Sequence, residues 1–468
     1  MFLTERTIHA RLLFLAFLLT SGISLKAQND ERPTPVITRP VPVSSPDGEA
    51  NHLSFEMQAG AVEFDQYFMP GTLRVDYLLA GDAKSETAYF VRMKEEPQWG
   101  GPKNNLTDPY GYGTYRYTLL DSATGRLIYS RGFSTLFQEW KGTEEAKTMR
   151  RAYPMTAVMP FPKNTVRFVI EKRDFSTNIF LPLFDRWINP ADYFIGREAP
   201  APVSFTRIVE NGGPENHVDV AFLAEGYTET EMEKFRADAQ RMADYFLSVP
   251  PYNEFRDRFN FYAVESPSAE SGVTIPGKGS YVNTNIRSSF YTFNMDRYLT
   301  TSNTFEMYDL AAAVPYDMVF VLVNSKQYGG GGFYNHYGQS TVDHRLSEIV
   351  ALHEFGHQFG GLADEYYDAE VTYSDYYNLK FEPWEPNITT NVDFKSKWAK
   401  MVTPGTPLPT LREEKYKDAV GMFEGGGYLS KGIYSPVMDC RMKTNEAAGF
   451  CPACKEGIVR MIRFYSGE

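Results

Sequence analysis

The sequence predicts an α+β protein in which an antiparallel β-sandwich precedes a domain of alternating strands and helices. Its 468 residues are enough for two domains, or three, with sizeable cores. Short alternating apolar runs occupy the first part of the chain, whereas longer apolar runs separated by helical patterns occupy the second. We therefore expect a β-sandwich over residues 51–195 and a larger domain over residues 203–468.

The first 27 residues have the pattern of a secretory signal peptide. Arg6 and Arg11 supply positive charge, and the apolar run Leu12–Leu25 is too short to span a bilayer comfortably. Cleavage is expected after Ala27, and an uncleaved anchor is the alternative. Residues 28–50 are rich in Pro and Ser and predict a flexible leader. We expect no membrane span after processing, and a location in the periplasm, on the cell surface or in the medium.

Composition argues against nucleic acid and anionic membrane surfaces as partners. The net charge is −12 and the isoelectric point is about 5.3, so the chain lacks the basic excess that such partners require. Aromatic residues make up 15% of the chain. Because aromatic side chains suit strands, this content favours β-rich packing over glycan or peptide recognition.

Three runs in the first part of the chain have the pattern of strands in a sandwich. They are Leu73–Leu78, Thr114–Leu119 and Val166–Ile170, with turn signals at Gly100–Pro102 and Asp121–Gly125. This region contains no cluster of acids, thiols and histidines. It is expected to be an accessory domain that orients substrate or a packing partner for the second domain.

The second part alternates strand and helix patterns. Val218–Leu223, Phe259–Val264 and Tyr316–Val323 read as buried strands. A capping box at Thr228 and Glu231 opens a helix that is expected to run to about residue 247. This alternation favours an α/β sheet.

A metal-binding pattern follows these strands. His353-Glu354-Phe355-Gly356-His357 places two histidines four residues apart, on one face of a helix. Both imidazoles can then reach one ion at the zinc–nitrogen distance of ~2.0–2.1 Å. Glu354 lies beside the pair, where it can take a proton from an attacking water and pass it to the leaving amine.

A third ligand requires the helix to stop. On a continuous helix Asp364 would lie roughly 10 Å along the axis from His357, at ~1.5 Å rise per residue. Gly360 and Gly361 are residues at which a helix can end and the chain reverse. Asp364 can then return as a carboxylate ligand, and three protein ligands leave an open position for catalysis.

The segment from His353 to Tyr366, HExxHxxGxxxDEY, resembles the zinc signature of the IgA-peptidase family of bacterial metallopeptidases, which are relatives of the metzincins. The resemblance covers about residues 218–463. It implies a metzincin-like α/β zinc-peptidase domain preceded by a β-rich domain. Metzincins have their third ligand six residues after the second histidine, which is Ala363 here. The family resemblance assigns that role to Asp364, with Glu365 as the alternative.

The resemblance assigns two further segments. Tyr434–Met442 resembles the methionine-containing turn beneath the metal of metzincins, with Met442 preferred and Met438 as the alternative. Gly329–Gly332 lies in an expected loop over residues 324–343 just before the metal helix. The resemblance implies that a sheet edge near this loop pairs with extended substrate.

Donors to a developing oxyanion remain open at this stage. His336 and His344 flank the glycine loop, and Tyr366 and Tyr434 are alternative phenol donors. The zinc hypothesis has one variant, a gluzincin-like site. In that site the third ligand would be Glu382 or Glu385.

The three cysteines are Cys440, Cys451 and Cys454. A metal site of the C-x-x-C kind would need more soft ligands than these. In an exported protein a disulfide is expected instead, either Cys440–Cys451 or Cys440–Cys454, with one thiol left over.

The predicted function is that of a secreted zinc endopeptidase with one catalytic zinc ion, acting on a protein or glycoprotein. One alternative is a zinc amidase or hydrolase acting on cell-wall peptide or glycoconjugates. Another is a non-catalytic surface protein that binds glycan or protein and retains the peptidase fold. Glu354 argues against the latter, because a structural metal needs ligands but no base.

Overall fold

A computed structural model describes residues 61–200, 202–367 and 376–468, which belong to one compact unit. The fold is mixed α+β with an N-terminal β-rich domain, as the sequence predicts. The predicted signal peptide and flexible leader lie outside the described residues. Within the described ranges no helix combines the length and apolar character needed to cross a membrane.

The N-terminal part contains two four-stranded sheets with the orders β5-β1-β2-β8 and β4-β3-β6-β7. The strands are β1 Phe68–Gly81, β2 Glu86–Glu96, β3 Tyr115–Asp121, β4 Leu127–Phe133, β5 Arg151–Pro162, β6 Val166–Arg173, β7 Phe180–Ile188 and β8 Ile195–Gly196. Two short helices, α1 Phe64–Tyr67 and α2 Leu136–Lys141, accompany them.

One hydrophobic core joins the two sheets. Leu73 of β1, Leu119 of β3 and Phe168 of β6 are fully buried in it. Within these sheets all pairs are antiparallel except β2 with β8. The three predicted runs fall on β1, β3 and β6, where most of their side chains are buried.

The second part is built on a six-stranded sheet with the order β15-β16-β14-β10-β11-β9. Its strands are β9 Ser204–Val209, β10 Val218–Glu225, β11 Phe259–Glu265, β14 Met318–Val323, β15 Gly330–Gly332 and β16 Tyr337–Thr341. The four inner strands are parallel, and the two edge strands are antiparallel to their neighbours. Two small hairpin-like sheets pair β12 Ser288–Ser289 with β13 Thr300–Thr301 and β17 Phe423–Gly426 with β18 Leu429–Ser435.

Helices cover both faces of this sheet. They are α3 Met232–Phe246, α4 Thr304–Ala311, α5 Ser347–Gln358 and α6 Pro452–Tyr465. Phe222 of β10 faces the core that contains α3, α5 and α6, whereas Leu223 faces the core that contains α4. The predicted capping box is present ahead of α3, where the Thr228 backbone N–H donates to Glu231 at 2.8 Å.

A buried ion-pair network joins the β-rich domain to α4. The Arg74 guanidinium on β1 lies 2.8 Å from Asp76 on the same strand and 2.8 Å from Asp309 on α4. Arg74 has no exposed side-chain surface, so these carboxylates, and not water, must stabilise its positive charge. The network fixes the β-rich domain against the second sheet.

The expectation of a loop over residues 324–343 is wrong, because β15 and β16 lie within it. The glycines lack the β-branched and aromatic side chains that indicate a strand in the sequence. Their small size nevertheless allows this strand to lie against α5. A Cβ added at Gly332 would lie 2.3 Å from the Glu354 carbonyl oxygen on α5. The edge is also partly occupied, since the Leu299 N–H donates to the Gly330 carbonyl at 3.1 Å. The sheet edge therefore packs directly against the helix that carries the histidines.

We expect Gly332→Ala to destabilise the fold, because the obstructing atoms belong to the α5 backbone and cannot rotate away. Overpacking of this kind costs about 1–3 kcal/mol of unfolding free energy. Gly449→Ala is the matched control, since a Cβ there meets nothing within 4 Å. Thermal unfolding should show a lower midpoint for Gly332→Ala and little change for Gly449→Ala. Equal midpoints for the two variants would contradict the close approach of β15 to α5.

Candidate metal centre

Helix α5 places His353 and His357 on one face. Their Nε2 atoms lie 3.1 Å apart, and the two rings are 4.7 Å apart and nearly perpendicular. Phe355 lies between them, and Ala351 and Leu352 lie just before them; all three are buried in the core beneath the sheet. The helix is thus held on its apolar face while the imidazoles point into a cleft.

Backbone carbonyls fix the orientation of both imidazoles. His353 Nδ1 lies 3.0 Å from the Arg441 carbonyl oxygen, and His357 Nδ1 lies 2.6 Å from the Leu362 carbonyl oxygen. A carbonyl only accepts hydrogen bonds, so each Nδ1 must be the protonated nitrogen. Each Nε2 then presents a lone pair to the cleft, which is the arrangement that metal-ligating histidines need.

The chain reverses after α5 and brings Asp364 back. Gly361 adopts a left-handed conformation with φ of 61°, and the Leu362 N–H donates back to the Gly356 carbonyl at 3.2 Å. Asp364 Oδ1 then lies 3.1 Å from His353 Nε2 and 3.3 Å from His357 Nε2. The end of the helix therefore lets the chain reverse and bring Asp364 back to the two histidines.

The three donor atoms fit a tetrahedral zinc ion. Bonds of ~2.0–2.1 Å at tetrahedral angles place neighbouring ligand atoms about 3.3–3.4 Å apart. The observed triangle has sides of 3.1, 3.1 and 3.3 Å. If both imidazoles are neutral, two nitrogen lone pairs and a carboxylate oxygen face one another, which favours a cation among them.

Electrostatics agrees with that assignment. Burial opposes a charge on His357, but the Asp364 carboxylate outweighs this effect and raises the His357 pKa to about 9. Burial likewise opposes the charge on Asp364, yet the two histidines hold the Asp364 pKa well below its usual range. The site therefore stabilises a positive charge, which a metal ion or a proton can supply.

Glu354 lies beside the histidines, and its carboxylate is within 4.8 Å of their ligand nitrogens. Burial raises the Glu354 pKa, and the two histidines oppose that rise. The absence of a side chain at Gly330 leaves room for the Glu354 side chain, since a Cβ there would lie 2.7 Å from Glu354 Cγ. The glycine strand thus leaves room for the candidate base.

Tyr428 orients Asp364, and sequence reasoning missed it. Its hydroxyl donates to Asp364 Oδ2 at 2.5 Å, while Oδ1 faces the two histidines. Tyr428 lies at the turn between β17 and β18 with φ of 66°. It is 64 residues from Asp364 in the chain, so no local motif could have indicated it.

Met442 lies beneath the histidines. A Cβ added at Gly356, between the two ligands on α5, would be 2.9 Å from the Met442 sulfur. The Met442 carbonyl accepts a 2.7 Å hydrogen bond from the Glu365 N–H. Met438 is only half-buried, so the preference for Met442 agrees with the packing.

A cleft with a volume of about 490 Å³ opens over these groups. Both domains contribute to its wall: Ser134 and Glu139 come from the N-terminal β-rich domain, and Tyr366 follows Asp364. Burial raises the Glu139 pKa to about 7, against a hydrogen bond from the Tyr298 hydroxyl that lowers it. Sequence reasoning gave no role to Glu139, because nothing in its own segment suggests a site.

Three predicted oxyanion donors lie outside the cleft. His336 is buried against Tyr308, whose hydroxyl lies 3.2 Å from its Nδ1, and burial lowers the His336 pKa to about 3. Tyr434 lies on β18, where it pairs with Glu424. Neither residue lines the cleft, and neither does His344. Of the four predicted donors, Tyr366 alone does so.

The alternative third ligands also point elsewhere. Residues 364–366 run between Met442 on one side and Gly427 and Tyr428 on the other, joined by backbone hydrogen bonds. Successive side chains of an extended segment face opposite sides. Asp364 therefore faces the histidines, whereas Glu365 faces away from them. Glu382 accepts from Thr389, and Glu385 lines the cleft wall but accepts from Tyr377 at 3.0 Å.

The disulfide prediction is wrong for this structure. Cys440, Cys451 and Cys454 are all free and buried. The Cys440 and Cys454 sulfurs lie 3.7 Å apart, whereas a disulfide bond requires about 2.05 Å. The missed feature is Glu365, whose Oε1 lies 3.1 Å from the Cys454 sulfur. A residue 75 positions before Cys440 carries no spacing signal that links it to the cysteines.

Comparison with known families gives two matches. A family model described as IgA Peptidase M64 matches residues 206–416 and 410–462, which together span more than half of the chain. A second model, described as Peptidase M64 N-terminus, matches residues 63–182. No curated protein matches the chain.

We expect Tyr428→Phe to weaken zinc binding about 10–100-fold, the usual cost of losing a group that orients a ligand. The ring remains, but Asp364 Oδ2 loses the hydrogen bond from Tyr428. Competition with a chromogenic chelator measures the dissociation constant. Tyr434→Phe is the control, since Tyr434 lies outside the cleft. Equal zinc affinity in both variants would contradict the orienting role.

We expect the metal-free protein to gain stability from Glu139→Gln at high pH. Folding raises the pKa of Glu139, so ionisation of Glu139 lowers the free energy of unfolding. This loss of stability is absent below the unfolded pKa and grows as pH rises through about 7. Glutamine can still accept from Tyr298. Unfolding midpoints of both proteins, measured from about pH 5 to about pH 9, should diverge in favour of the variant. A constant difference across that range would show that Glu139 does not ionise in this way.

Proposed function

The chain belongs to the IgA Peptidase M64 family, and from this premise we propose that it is an exported zinc-dependent endopeptidase. Membership of the family implies a metallopeptidase with a protein substrate. Zinc as the metal, Glu354 as the base and export from the cell are our own assignments. The export assignment rests on the predicted signal peptide over residues 1–27.

The observation that carries the proposal is the triangle of ligand atoms. His353, His357 and Asp364 bring two nitrogens and one oxygen to within 3.1–3.3 Å of one another. Three protein ligands of this type are typical of catalytic zinc, which keeps a fourth position open. When bound there, zinc lowers the pKa of a water molecule toward about 7 and polarises the carbonyl to be attacked.

Glu354 is the proton carrier in this proposal. Its buried carboxylate, with a raised pKa, accepts a proton from the attacking water. The same group then donates that proton to the nitrogen of the leaving amine. Water is the nucleophile, so no residue forms a covalent bond with the substrate.

The surrounding residues hold the centre in place. The carbonyls of Arg441 and Leu362 orient the imidazoles, and Tyr428 orients Asp364. Tyr366, which lines the cleft beside Asp364, is the phenol that we assign to the oxyanion. Substrate lies in the cleft with both domains in contact, since Ser134 and Glu139 form part of its wall.

The decisive experiment pairs zinc content with cleavage of denatured protein substrates. We expect Glu354→Gln to retain zinc and to lose about 10²–10⁴-fold in cleavage rate, the usual contribution of a general base. Asp364→Ala should lose both zinc and cleavage. Glu348→Gln is the matched control, because Glu348 lies on α5 but pairs with Arg241 outside the cleft.

Peptidoglycan and mucin, offered beside the protein substrates, separate the reaction classes. A zinc-loaded wild-type protein that releases products only from peptidoglycan or mucin would replace the endopeptidase assignment with an amidase or glycoconjugate hydrolase. Zinc binding without turnover of any substrate would favour the binding-protein alternative. Full activity of Glu354→Gln would overturn the role of the base.

A further inference from the structure

A second cluster of ligand atoms lies behind the candidate catalytic centre. It consists of Glu365, Cys440, Cys451 and Cys454, all of them buried. Each of these residues offers one ligand atom, and the four atoms lie within 4.8 Å of one another. They come from three separate segments: the chain after α5, the methionine-containing turn and the start of α6. We call this set the cysteine cluster.

The spacing of these atoms matches a tetrahedral metal site. Zinc–sulfur bonds of ~2.3 Å at tetrahedral angles place two sulfurs about 3.8 Å apart, and a sulfur and an oxygen about 3.5 Å apart. The Cys440 and Cys454 sulfurs are 3.7 Å apart. Glu365 Oε1 lies 3.1 Å from the Cys454 sulfur and 3.7 Å from that of Cys451.

Backbone N–H groups donate to two of the three sulfurs. The Cys451 N–H donates to the Cys440 sulfur at 3.2 Å, and the Cys454 N–H donates to the Cys451 sulfur at 3.4 Å. Cys451 is the N-cap residue of α6, so the positive end of the helix dipole faces its sulfur. A metal-bound sulfur can accept such N–H donors, so these contacts are compatible with ligation.

The carboxylate is oriented on one side and lacks a partner on the other. Asn387 donates to Glu365 Oε1 at 3.0 Å, and its amide also bonds the backbone of Ala363 in both directions. Glu365 Oε2 is fully buried and has no hydrogen-bond partner within the described residues. A buried carboxylate beside three thiols, with one oxygen unpartnered, favours a cation at the centre of the cluster.

We propose that Glu365, Cys440, Cys451 and Cys454 bind a second, structural zinc ion. Three thiolates and one carboxylate are a donor set that suits zinc. All four positions are filled by protein, so this site is closed and takes no part in hydrolysis. The inference does not depend on the peptidase assignment.

Such an ion would fix the catalytic ligands from behind. Glu365 directly follows Asp364, and Cys440 directly precedes Arg441, whose carbonyl orients His353. Cys451 and Cys454 attach both segments to the first turn of α6. One bound ion would therefore join the three chain segments at a single point.

Metal analysis of the full mature chain tests the proposal. We expect two zinc ions per wild-type chain, one in Cys454→Ser and one in His357→Ala. The His357 variant is the reciprocal control, because it removes a ligand of the other centre only. A wild-type content of one zinc that is lost in His357→Ala and kept in Cys454→Ser would overturn the proposal.

Thiol counting separates the outcomes even where a variant fails to fold. Alkylation of the wild-type protein, denatured with chelator but without reductant, should label all three cysteines. A single labelled cysteine would show a disulfide and overturn the proposal. Three labelled cysteines together with a single zinc per chain would show a thiol cluster without metal, which also overturns it.

Cobalt substitution identifies the ligands by their absorption spectrum. Cobalt at a site with thiolates gives intense sulfur-to-metal charge-transfer absorption, whereas a site of two histidines and an aspartate does not. We expect this absorption in the cobalt-loaded wild type and in His357→Ala. Its absence from both proteins, at full cobalt loading, would contradict thiolate ligation. These readouts involve no peptidase activity, so a failed cleavage assay leaves them interpretable.

Discussion

The structure depends on one reversal of the chain, at Gly360 and Gly361. A helix advances about 1.5 Å per residue, so a third ligand farther along α5 would move away from the metal. The reversal instead returns Asp364 to a position 3.1–3.3 Å from both imidazoles. Gly361 permits this reversal because glycine has no side chain and adopts a φ of 61° without steric cost. Residues with a side chain disfavour that angle. The rest of the site is built around the returning segment.

The returning segment is held on both edges by distant parts of the chain. The Met442 carbonyl accepts from the Glu365 N–H on one edge, while Gly427 and Tyr428 donate to residues 364 and 366 on the other. Because side chains alternate along the segment, its two faces meet different surroundings. Asp364 faces the histidines, and the next residue faces the cysteine cluster. The same pair of adjacent acids thereby connects two different chemical environments.

Local patterns predicted the strands, the helix with its two histidines and the turn after it, because periodicity and spacing act over a few residues. They failed where glycine replaced the usual strand residues, as in β15. They also failed where a contact depends on the fold. Tyr428 and Glu139 carry no signal in their own segments, and His336 is excluded from the cleft only by its packing against Tyr308. The disulfide expectation counted the sulfurs and had no means to place Glu365 among them.

The participation of the β-rich domain in the cleft has a consequence for how this architecture can vary. Ser134 and Glu139 form part of the cleft wall, and the Ser134 N–H also donates to the Tyr334 carbonyl beyond β15. The candidate catalytic residues lie in one domain, while part of the cleft wall lies in the other. If the proposed function holds, substitutions in the short segment around α2 can alter substrate preference without changing His353, Glu354, His357 or Asp364. Selection could then act on the two properties separately within a single compact unit.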